Sequence, residues 1–173
     1  NERPNDRIGL VAYAGESYTK TPITSDKSIV LRALEEITYG QLNDGTAIGM
    51  GLATAVNRLK ESKALSKVII LLTDGVNNSG FIEPQTAADL AVEFGIKTYT
   101  IGIGTNGNAM TPISYNADGS YRYGMREVEI EESLLKSIAE TTGGQYFRAT
   151  DNKKLEAIYE EINKLEKTEV EEF

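Results

Sequence analysis

The sequence contains no cysteine, no histidine and no tryptophan. Without cysteine the chain has no disulfide, no thiolate nucleophile and no cysteine-bound zinc, and the redox compartment cannot be read from it. Without histidine it lacks the commonest general base at neutral pH and the commonest transition-metal ligand. These absences exclude Ser-His-Asp catalysis and HExxH zinc chemistry. Any bound metal would be a hard cation such as magnesium, manganese or calcium, held by oxygen atoms.

Long apolar runs and positive charge are also scarce. No run approaches the roughly 20 apolar residues needed to cross a bilayer, and the first residues, "NERPNDR", lack the apolar segment of a signal peptide. We therefore expect these residues to be soluble and to make no membrane contact. A net charge of -8 disfavours nucleic acid as a partner. With 40% hydrophobic and 25% charged residues, the chain is expected to form a single domain over residues 1–173.

Strand and helix patterns alternate along the chain. Residues 7–15, "RIGLVAYAG", and the following "ESYTKTPI" predict an antiparallel hairpin at a sheet edge. The segments "KVIILLT" and "IKTYTIGIG" are continuously apolar and are separated by amphipathic helical patterns. Such strands are typical of a parallel sheet covered by helices on both faces. The pattern predicts an α/β fold with a doubly wound, mostly parallel sheet and an antiparallel edge strand.

Capping residues mark where several helices begin. Thr24 or Ser25 is the candidate N-cap of a helix in "TSDKSIVLRALEEI", and Asp151 is that of the closing helix. A second helix is predicted from Thr46 onward. Each of the first two helical patterns has an apolar stripe, formed by Ile29, Leu31, Leu34 and Ile37 in one, and by Ile48, Leu52, Ala55, Val56 and Leu59 in the other.

Two kinds of surface segment stand out. The segment "SYNADGSYRYG" predicts a hairpin turn at residues 116–119 with tyrosines on both sides, which suits either an exposed recognition element or packing on a sheet face. The acidic stretches "REVEIEES" and "LEKTEVEEF" are interpreted as the solvated faces of a strand and a helix.

A glycine pattern offers a second class of function. Residues 102–107, "GIGTNG", match G-x-G-x-x-G after a predicted strand, as in a dinucleotide-binding enzyme. That site also needs a helix to begin at the last glycine, so that its N–H groups face the pyrophosphate. Pro112 and turn residues follow instead, which argues against a nucleotide or small-molecule enzyme on a Rossmann-like sheet.

Two oxygen-bearing residues lie at predicted ligand-binding positions. In an open α/β sheet, ligands bind beyond the carboxyl ends of the strands. Asp74 directly follows an apolar strand, and Thr46 lies where the loop "LNDG" passes into a helix. Taken singly, Thr46 suits a helix N-cap and Asp74 followed by glycine suits a turn. Taken together, they offer a hydroxyl and a carboxylate to a small hard cation.

The order of "DRIGLVAYAGES", "NDGTAIGMGLATAVNRL", "KVIILLTDGVNNSG" and "IKTYTIGIG" resembles the von Willebrand factor type A domain, most closely that of the bacterial aerotolerance (Bat) proteins. The resemblance implies a non-enzymatic protein-interaction domain with a metal-ion-dependent adhesion site, in which a partner's carboxylate completes a divalent cation. By motif, Thr46 matches the threonine ligand and Asp74 the aspartate ligand. It also implies a protein that is membrane-anchored at full length, with this domain in the periplasm.

The sequence departs from this family at its start. The Asp-x-Ser-x-Ser motif, which supplies the other protein ligands on the family's first strand, does not occur. We expect the first strand and helix to be missing, so that the domain is N-terminally truncated. Thr46 and Asp74 alone cannot surround magnesium, and metal affinity in these residues is expected to be weak or absent. A structural scaffold with a degenerate site is a third alternative.

A missing first strand also affects folding. In this topology that strand is central, and its loss leaves two rows of unpaired backbone groups. We predict that the gap is filled by a shifted strand, or by another copy of the chain through strand pairing or swapping.

Overall fold

The computed structural model describes residues 5–104, 107–128 and 130–171. Strands and helices alternate through these ranges, as the sequence pattern predicts. The elements are β1 Ile8–Tyr13, β2 Ser17–Thr24, α1 Lys27–Glu35, α2 Ile48–Leu59, β3 Val68–Thr73, α3 Pro84–Glu93, β4 Lys97–Ile103, β5 Gly107–Tyr115, β6 Tyr121–Val128, α4 Glu132–Thr142, β7 Tyr146–Ala149 and α5 Asn152–Glu171.

The strands form three sheets. Strands β3, β4 and β7 make a parallel sheet in the order β3-β4-β7, while β1 pairs with β2, and β5 with β6, as antiparallel hairpins. The parallel strands are joined by helices, as chain connectivity requires when neighbouring strands run in the same direction. The predicted α/β class, with a parallel sheet, helices and an antiparallel hairpin, is confirmed.

Helices cover both faces of the parallel sheet because its strands are apolar on both sides. On one face, Ile69 and Leu71 of β3 pack against α2, α3 and α4 in a buried cluster that includes Leu52 and Leu135. On the other face, Ile101 of β4 belongs to a second cluster, in which Ile158 and Ile162 of α5 cover Tyr99, Phe147 and Ala149. This double cover holds the carboxyl ends of the strands at one edge of a rigid core.

Helix α1 differs from its prediction at two points. Asp26 is the N-cap, with its carboxylate accepting from the Ser28 amide at 2.9 Å, so the prediction of Thr24 or Ser25 is wrong. The Thr24 hydroxyl instead accepts from the Asp26 amide, which sets the turn before the helix. Ala33 is buried, whereas the apolar side chains Ile29, Leu31 and Leu34 are exposed. The apolar stripe of this helix has no cover in the described part of the chain.

The space between β1 and β3 contains no strand from the described ranges. The prediction of a shifted strand is therefore wrong for this part of the chain, and pairing with another copy stays a prediction. The Tyr13 side chain bridges the two strands instead: its hydroxyl donates to the Leu72 carbonyl at 2.8 Å, and its ring lies against Gly51 of α2. One side-chain hydrogen bond thus satisfies a carbonyl that a neighbouring strand would otherwise pair.

Helix α5 begins and ends with informative contacts. The Asp151 carboxylate accepts from the Lys154 amide at 2.8 Å, which confirms the predicted cap. Near the other end, Glu166 is only 4% exposed, so the interpretation of its acidic stretch as a solvated face is wrong at this position. The Glu166 carboxylate accepts from Tyr99 at 2.6 Å, Ser66 at 3.1 Å and Lys97 at 3.2 Å. These donors lie in or just before β3 and β4, and no local sequence pattern pairs them with α5.

None of the helices in the described ranges combines the length and apolar character that a membrane span requires.

Candidate functional site

Thr46 and Asp74 come together beyond the carboxyl end of β3. Asp74 follows the last residue of that strand and is exposed, while Thr46 lies two residues before α2 and is half-buried. A Cβ placed on Gly75 would lie 3.0 Å from the Thr46 hydroxyl oxygen, so the two loops are in contact. The structure therefore brings together the two residues that the sequence singled out. Their role as metal ligands stays a prediction.

Neither side chain has the structural role that its position alone suggests. Ala47, not Thr46, is the N-cap of α2, and it supplies no side-chain cap. The turn after β3 is stabilised by Thr73, whose hydroxyl accepts from the Gly75 amide at 3.3 Å. Within the described ranges, the Thr46 hydroxyl and the Asp74 carboxylate make no hydrogen bond to protein. Two oxygens at the carboxyl edge of the sheet are thus left available for a ligand.

Two neighbouring asparagines fix the loop after β3 to the segment before α2 through hydrogen bonds. Asn78 and Thr46 form two hydrogen bonds with each other. The side-chain oxygen of Asn78 accepts from the backbone amide of Thr46 at 2.8 Å, and the backbone amide of Asn78 donates to the Thr46 carbonyl at 3.0 Å. The Asn77 side-chain oxygen accepts from the amide of Ile48, the first residue of α2, at 2.9 Å. Helix α2 is therefore capped by a different loop, because Asn77 satisfies an amide that has no partner within the helix.

Two further segments support this arrangement. The loop after β1 contacts the start of α2, where the Ala47 amide donates to the Ala14 carbonyl at 2.6 Å. The Glu131 carboxylate, just before α4, accepts from the Asn77 amide at 3.0 Å. The loops that follow β1 and β3, the start of α2 and the start of α4 therefore meet at one point.

Sequence reasoning missed the supporting residues Asn77, Asn78 and Glu131. Glu131 belongs to an acidic stretch that was interpreted as solvated, but its carboxylate binds a backbone amide. The neighbouring Glu132 pairs with Arg148 and Lys136. The one local signal is the pair of adjacent asparagines in the loop after a buried strand, since amide side chains readily bind nearby backbone.

The Tyr13 hydroxyl lies next to this site. Burial raises the pKa of Tyr13 to about 12; a hydrogen bond with Thr73 opposes this shift, and the charge of Asp74 adds to it. The side chain consequently stays a neutral donor at physiological pH, and its hydrogen bond to β3 persists through that range.

The oxygen atoms of Thr46 and Asp74 are the type of ligand that a hard cation prefers, but they are too few to surround one. A hydroxyl and a carboxylate are oxygen ligands of the type that magnesium, manganese and calcium prefer. The described ranges contain no cluster of three or more acidic side chains that could hold a metal ion. A closed coordination shell would need oxygens from outside these residues.

The alternative site at residues 102–107 lacks its essential helix. Gly107 begins strand β5, so no helix N-terminus follows the glycine pattern. A pyrophosphate there would lack the converging N–H groups on which dinucleotide sites depend.

Replacing Asn78 by alanine is expected to loosen the Thr46 loop while leaving the core intact. The substitution removes the acceptor of the Thr46 amide. A typical hydrogen bond contributes about 1 kcal/mol, so the Thr46 amide should exchange its hydrogen roughly fivefold faster. Hydrogen exchange followed by NMR tests this prediction, with the exposed Asn43→Ala in the adjoining loop as the control. Equal rates in the two variants would contradict the reciprocal pairing.

The comparisons with known proteins identify the family of this chain. The family model for the von Willebrand factor type A domain matches residues 1–161. An uncharacterized protein of Borreliella burgdorferi is 33% identical over 169 residues, which span 98% of this chain but 49% of that relative. The chain thus corresponds to about half the length of this curated relative.

Three solved structures are informative. BatB, a conserved hypothetical protein from Bacteroides thetaiotaomicron, matches with a TM-score of 0.75 and 31% identity over 94% of this chain and 80% of its own. An aerotolerance-related membrane protein from Bacteroides fragilis matches with a TM-score of 0.73 and 30% identity, covering 92% and 80%. Proximal thread matrix protein 1 from the mussel byssus, with a zinc-occupied MIDAS motif, matches with a TM-score of 0.67 and 25% identity, covering 92% and 34%.

The family match spans nearly the whole chain, and the two bacterial structures share its fold over more than nine-tenths of its length. The chain belongs to the von Willebrand factor type A domain family and is similar to the Bat aerotolerance proteins within it.

Proposed function

We propose that this chain is a non-enzymatic protein-interaction domain, which binds a carboxylate of a protein partner through a divalent cation held in part by Thr46 and Asp74. The observation that carries the proposal is that the Thr46 hydroxyl lies beside Gly75, the residue after Asp74, while neither side chain has a protein hydrogen-bond partner in the described ranges. Asn78 and Asn77 hold the Thr46 loop in place, so the site does not have to be ordered when a ligand binds. The cation would act as a bridge, and no reaction step is assigned to it.

Magnesium, manganese or calcium is the favoured ion. The residues offer hydroxyl and carboxylate oxygen, and the whole sequence contains no histidine or cysteine that would favour a softer metal. The similarity to a mussel protein whose MIDAS motif holds zinc supports the use of this edge for a metal. With one charged ligand from these residues, the affinity of the chain alone should be weak.

The remaining ligands would enter with a strand between β1 and β3. We infer that chain outside residues 1–173 supplies this strand, with pairing or swapping between two copies as the alternative. The facing edges of β1 and β3 have no strand partner within the described ranges, and Tyr13 spans only the end of the space near the site. An Asp-x-Ser-x-Ser sequence on such a strand would complete the coordination shell.

A membrane-anchored parent protein with this domain in the periplasm is the proposed setting. Support comes from the Bacteroides fragilis structure, which is described as an aerotolerance-related membrane protein. The whole chain of the Borreliella burgdorferi relative is about twice as long as the matched part, which leaves room for an anchor in such a protein.

Calorimetric titration with magnesium and manganese tests the proposal. The parent protein should bind a divalent cation more tightly than residues 1–173, and Thr46→Ala or Asp74→Asn should weaken that binding by about tenfold or more. Asp89→Asn, in an exposed part of α3, is the matched control and should leave the affinity unchanged.

The same experiment distinguishes a degenerate scaffold from an adhesion site. A parent protein that binds neither cation, or Thr46 and Asp74 variants that change only the melting temperature, would refute the metal-bridged interaction. The fold would then be a scaffold that no longer uses this edge.

A further inference from the structure

The β5–β6 hairpin carries a strip of tyrosines that the core does not use. Tyr115 pairs directly with Tyr121 across the hairpin, and Tyr123 and Met125 follow on the same face because strand side chains alternate. The ring centroids of Tyr115 and Tyr121 are 4.9 Å apart, and those of Tyr121 and Tyr123 are 6.4 Å apart. We call Tyr115, Tyr121, Tyr123 and Met125 the tyrosine strip.

The tyrosine strip is open to solvent. Its members are 63%, 50%, 55% and 63% exposed in sequence order, and none belongs to either buried cluster. On the opposite face of the hairpin, the Ile113 side chain lies over Gly124 in place of an aromatic ring. Three neighbouring aromatic rings and a thioether share one exposed face, and contiguous exposed patches of this kind mark binding surfaces.

Negative charge borders the strip. The pKa of Tyr115 is raised first by its hydrogen bond with Tyr121, then by the charge of Tyr121 and by burial, and least by the charge of Asp44. At the turn, the Asp118 carboxylate accepts from the Ser120 amide at 2.9 Å and from the Ser120 hydroxyl at 2.6 Å. These hydrogen bonds lower the pKa of Asp118, so it is charged at neutral pH.

Within residues 113–125, the face that carries the strip has no cationic side chain. Across residues 113–125, Arg122 is the one cationic side chain, and it alternates with Tyr121 and Tyr123 onto the opposite face. The chain as a whole carries a net charge of -8. The strip therefore combines electron-rich ring faces with an acidic border, a combination that attracts cations.

We propose that the tyrosine strip is a docking surface for an extended, arginine- or lysine-bearing segment of a protein partner. The cationic groups lie over the tyrosine rings, and the carboxylates of Asp44 and Asp118 attract them. This surface needs no metal, so it goes beyond the function proposed above. Because Asp44 lies two residues before Thr46, a single partner can occupy both places.

Titration with a short peptide that alternates arginine and glycine tests the docking surface. The protein is labelled with ¹⁵N, and excess chelator removes divalent cations, so that failure of the metal site does not affect the outcome. Chemical shifts should move at Tyr115, Tyr121 and Tyr123. The double substitution Tyr121→Ser with Tyr123→Ser should weaken binding by about fivefold or more, because a cation over each exposed ring contributes a factor of about two to five.

Matched controls distinguish binding at the tyrosine strip from non-specific binding of the peptide. Tyr39→Ser removes a fully exposed tyrosine outside the hairpin and should leave the affinity unchanged. The same peptide with citrulline in place of arginine should bind at least fivefold more weakly, and Asp44→Asn should weaken binding of the arginine peptide. An unchanged melting temperature of each variant shows that the fold is intact.

Three results of the peptide titration would overturn the docking surface. They are the absence of shifts in the strip at millimolar peptide, equal binding of the citrulline and arginine peptides, and unchanged affinity in the double variant. A concentration-dependent dimer in sedimentation that the double variant abolishes would show that a second copy covers the strip, and would also overturn it.

Discussion

Replacing Gly49 by alanine is expected to lower the free energy of unfolding by about 3 kcal/mol. A Cβ at this position in α2 would overlap the carbonyl oxygen of Ile82 and would lie 2.9 Å from the Pro84 nitrogen. Both are backbone atoms, so the helix or the loop has to move, and the cost belongs at the upper end of what overpacking produces. The melting temperature should fall by roughly 6–12 °C, as a domain of this size loses about 2–4 °C per kcal/mol.

Gly51 provides the matched control for this prediction. A Cβ there would lie 2.8 Å from the Tyr13 ring, so the obstacle is one side chain at a longer distance rather than a backbone carbonyl. Both substitutions improve intrinsic helix propensity by about 1 kcal/mol, so their difference isolates the close approach of α2 to the loop before α3. Gly51→Ala should cost less than about half as much in thermal or urea unfolding. Equal losses would show that this close approach does not limit the stability of the site's helix.

Replacing Glu166 by alanine is expected to lower the free energy of unfolding by about 2–4 kcal/mol. Its carboxylate is buried and accepts three hydrogen bonds, one of which comes from the Lys97 ammonium. Breaking a buried ion pair from one side costs about 3–5 kcal/mol, and the partial exposure of Lys97 reduces that figure. Urea unfolding at pH 7 measures the loss. Glu160→Ala, at an exposed position on the same helix, should cost much less.

Glu166 should also make the free energy of unfolding depend on pH in the acid range. Burial raises the pKa of Glu166, but hydrogen bonds from Tyr99 and Lys97, the charge of Lys97 and a hydrogen bond from Ser66 outweigh it, so the pKa lies below the ordinary 4.5. A lowered pKa in the folded state stabilises the protein fully above pH 4.5, and that stability is lost as the pH falls through the lowered value.

Glu166→Gln therefore isolates the charge. Urea unfolding of the wild type should show a loss of stability below pH 4.5 that is smaller in Glu166→Gln, whereas Glu160→Gln should follow the wild type. Parallel curves for the wild type and Glu166→Gln would show that the buried carboxylate does not contribute to acid sensitivity.

Much of the fold could be predicted from the sequence because its signals are local. Continuous apolar strands predicted the parallel sheet, and the Asp151 cap and the turn at residues 116–119 were correct. The cap of α1 was wrong because three polar residues in succession, Thr24, Ser25 and Asp26, all suit that role. Only the backbone geometry shows that the Asp26 carboxylate reaches the Ser28 amide.

The candidate site was predictable in part for the same reason. Thr46 and Asp74 follow from where strands end and helices begin, which a sequence pattern shows. Asn77, Asn78 and Glu131 do not, since each acts on backbone that is distant in the chain. Glu131 is 54 residues from the amide that it binds. Composition alone made its acidic stretch look solvated.

Local patterns in the sequence are enough to predict the class of fold, to exclude histidine and cysteine chemistry, and to identify the two oxygens offered at the sheet edge. Only the packing of distant segments brings Thr46 beside the loop that begins with Asp74, lets Tyr13 bridge β1 to β3, buries Glu166 and leaves the tyrosine strip exposed. The two kinds of feature differ in the separation along the chain of the residues that interact. Caps, turns and apolar periodicity depend on neighbours within a few residues, whereas burial and long-range hydrogen bonds depend on which distant segments pack together.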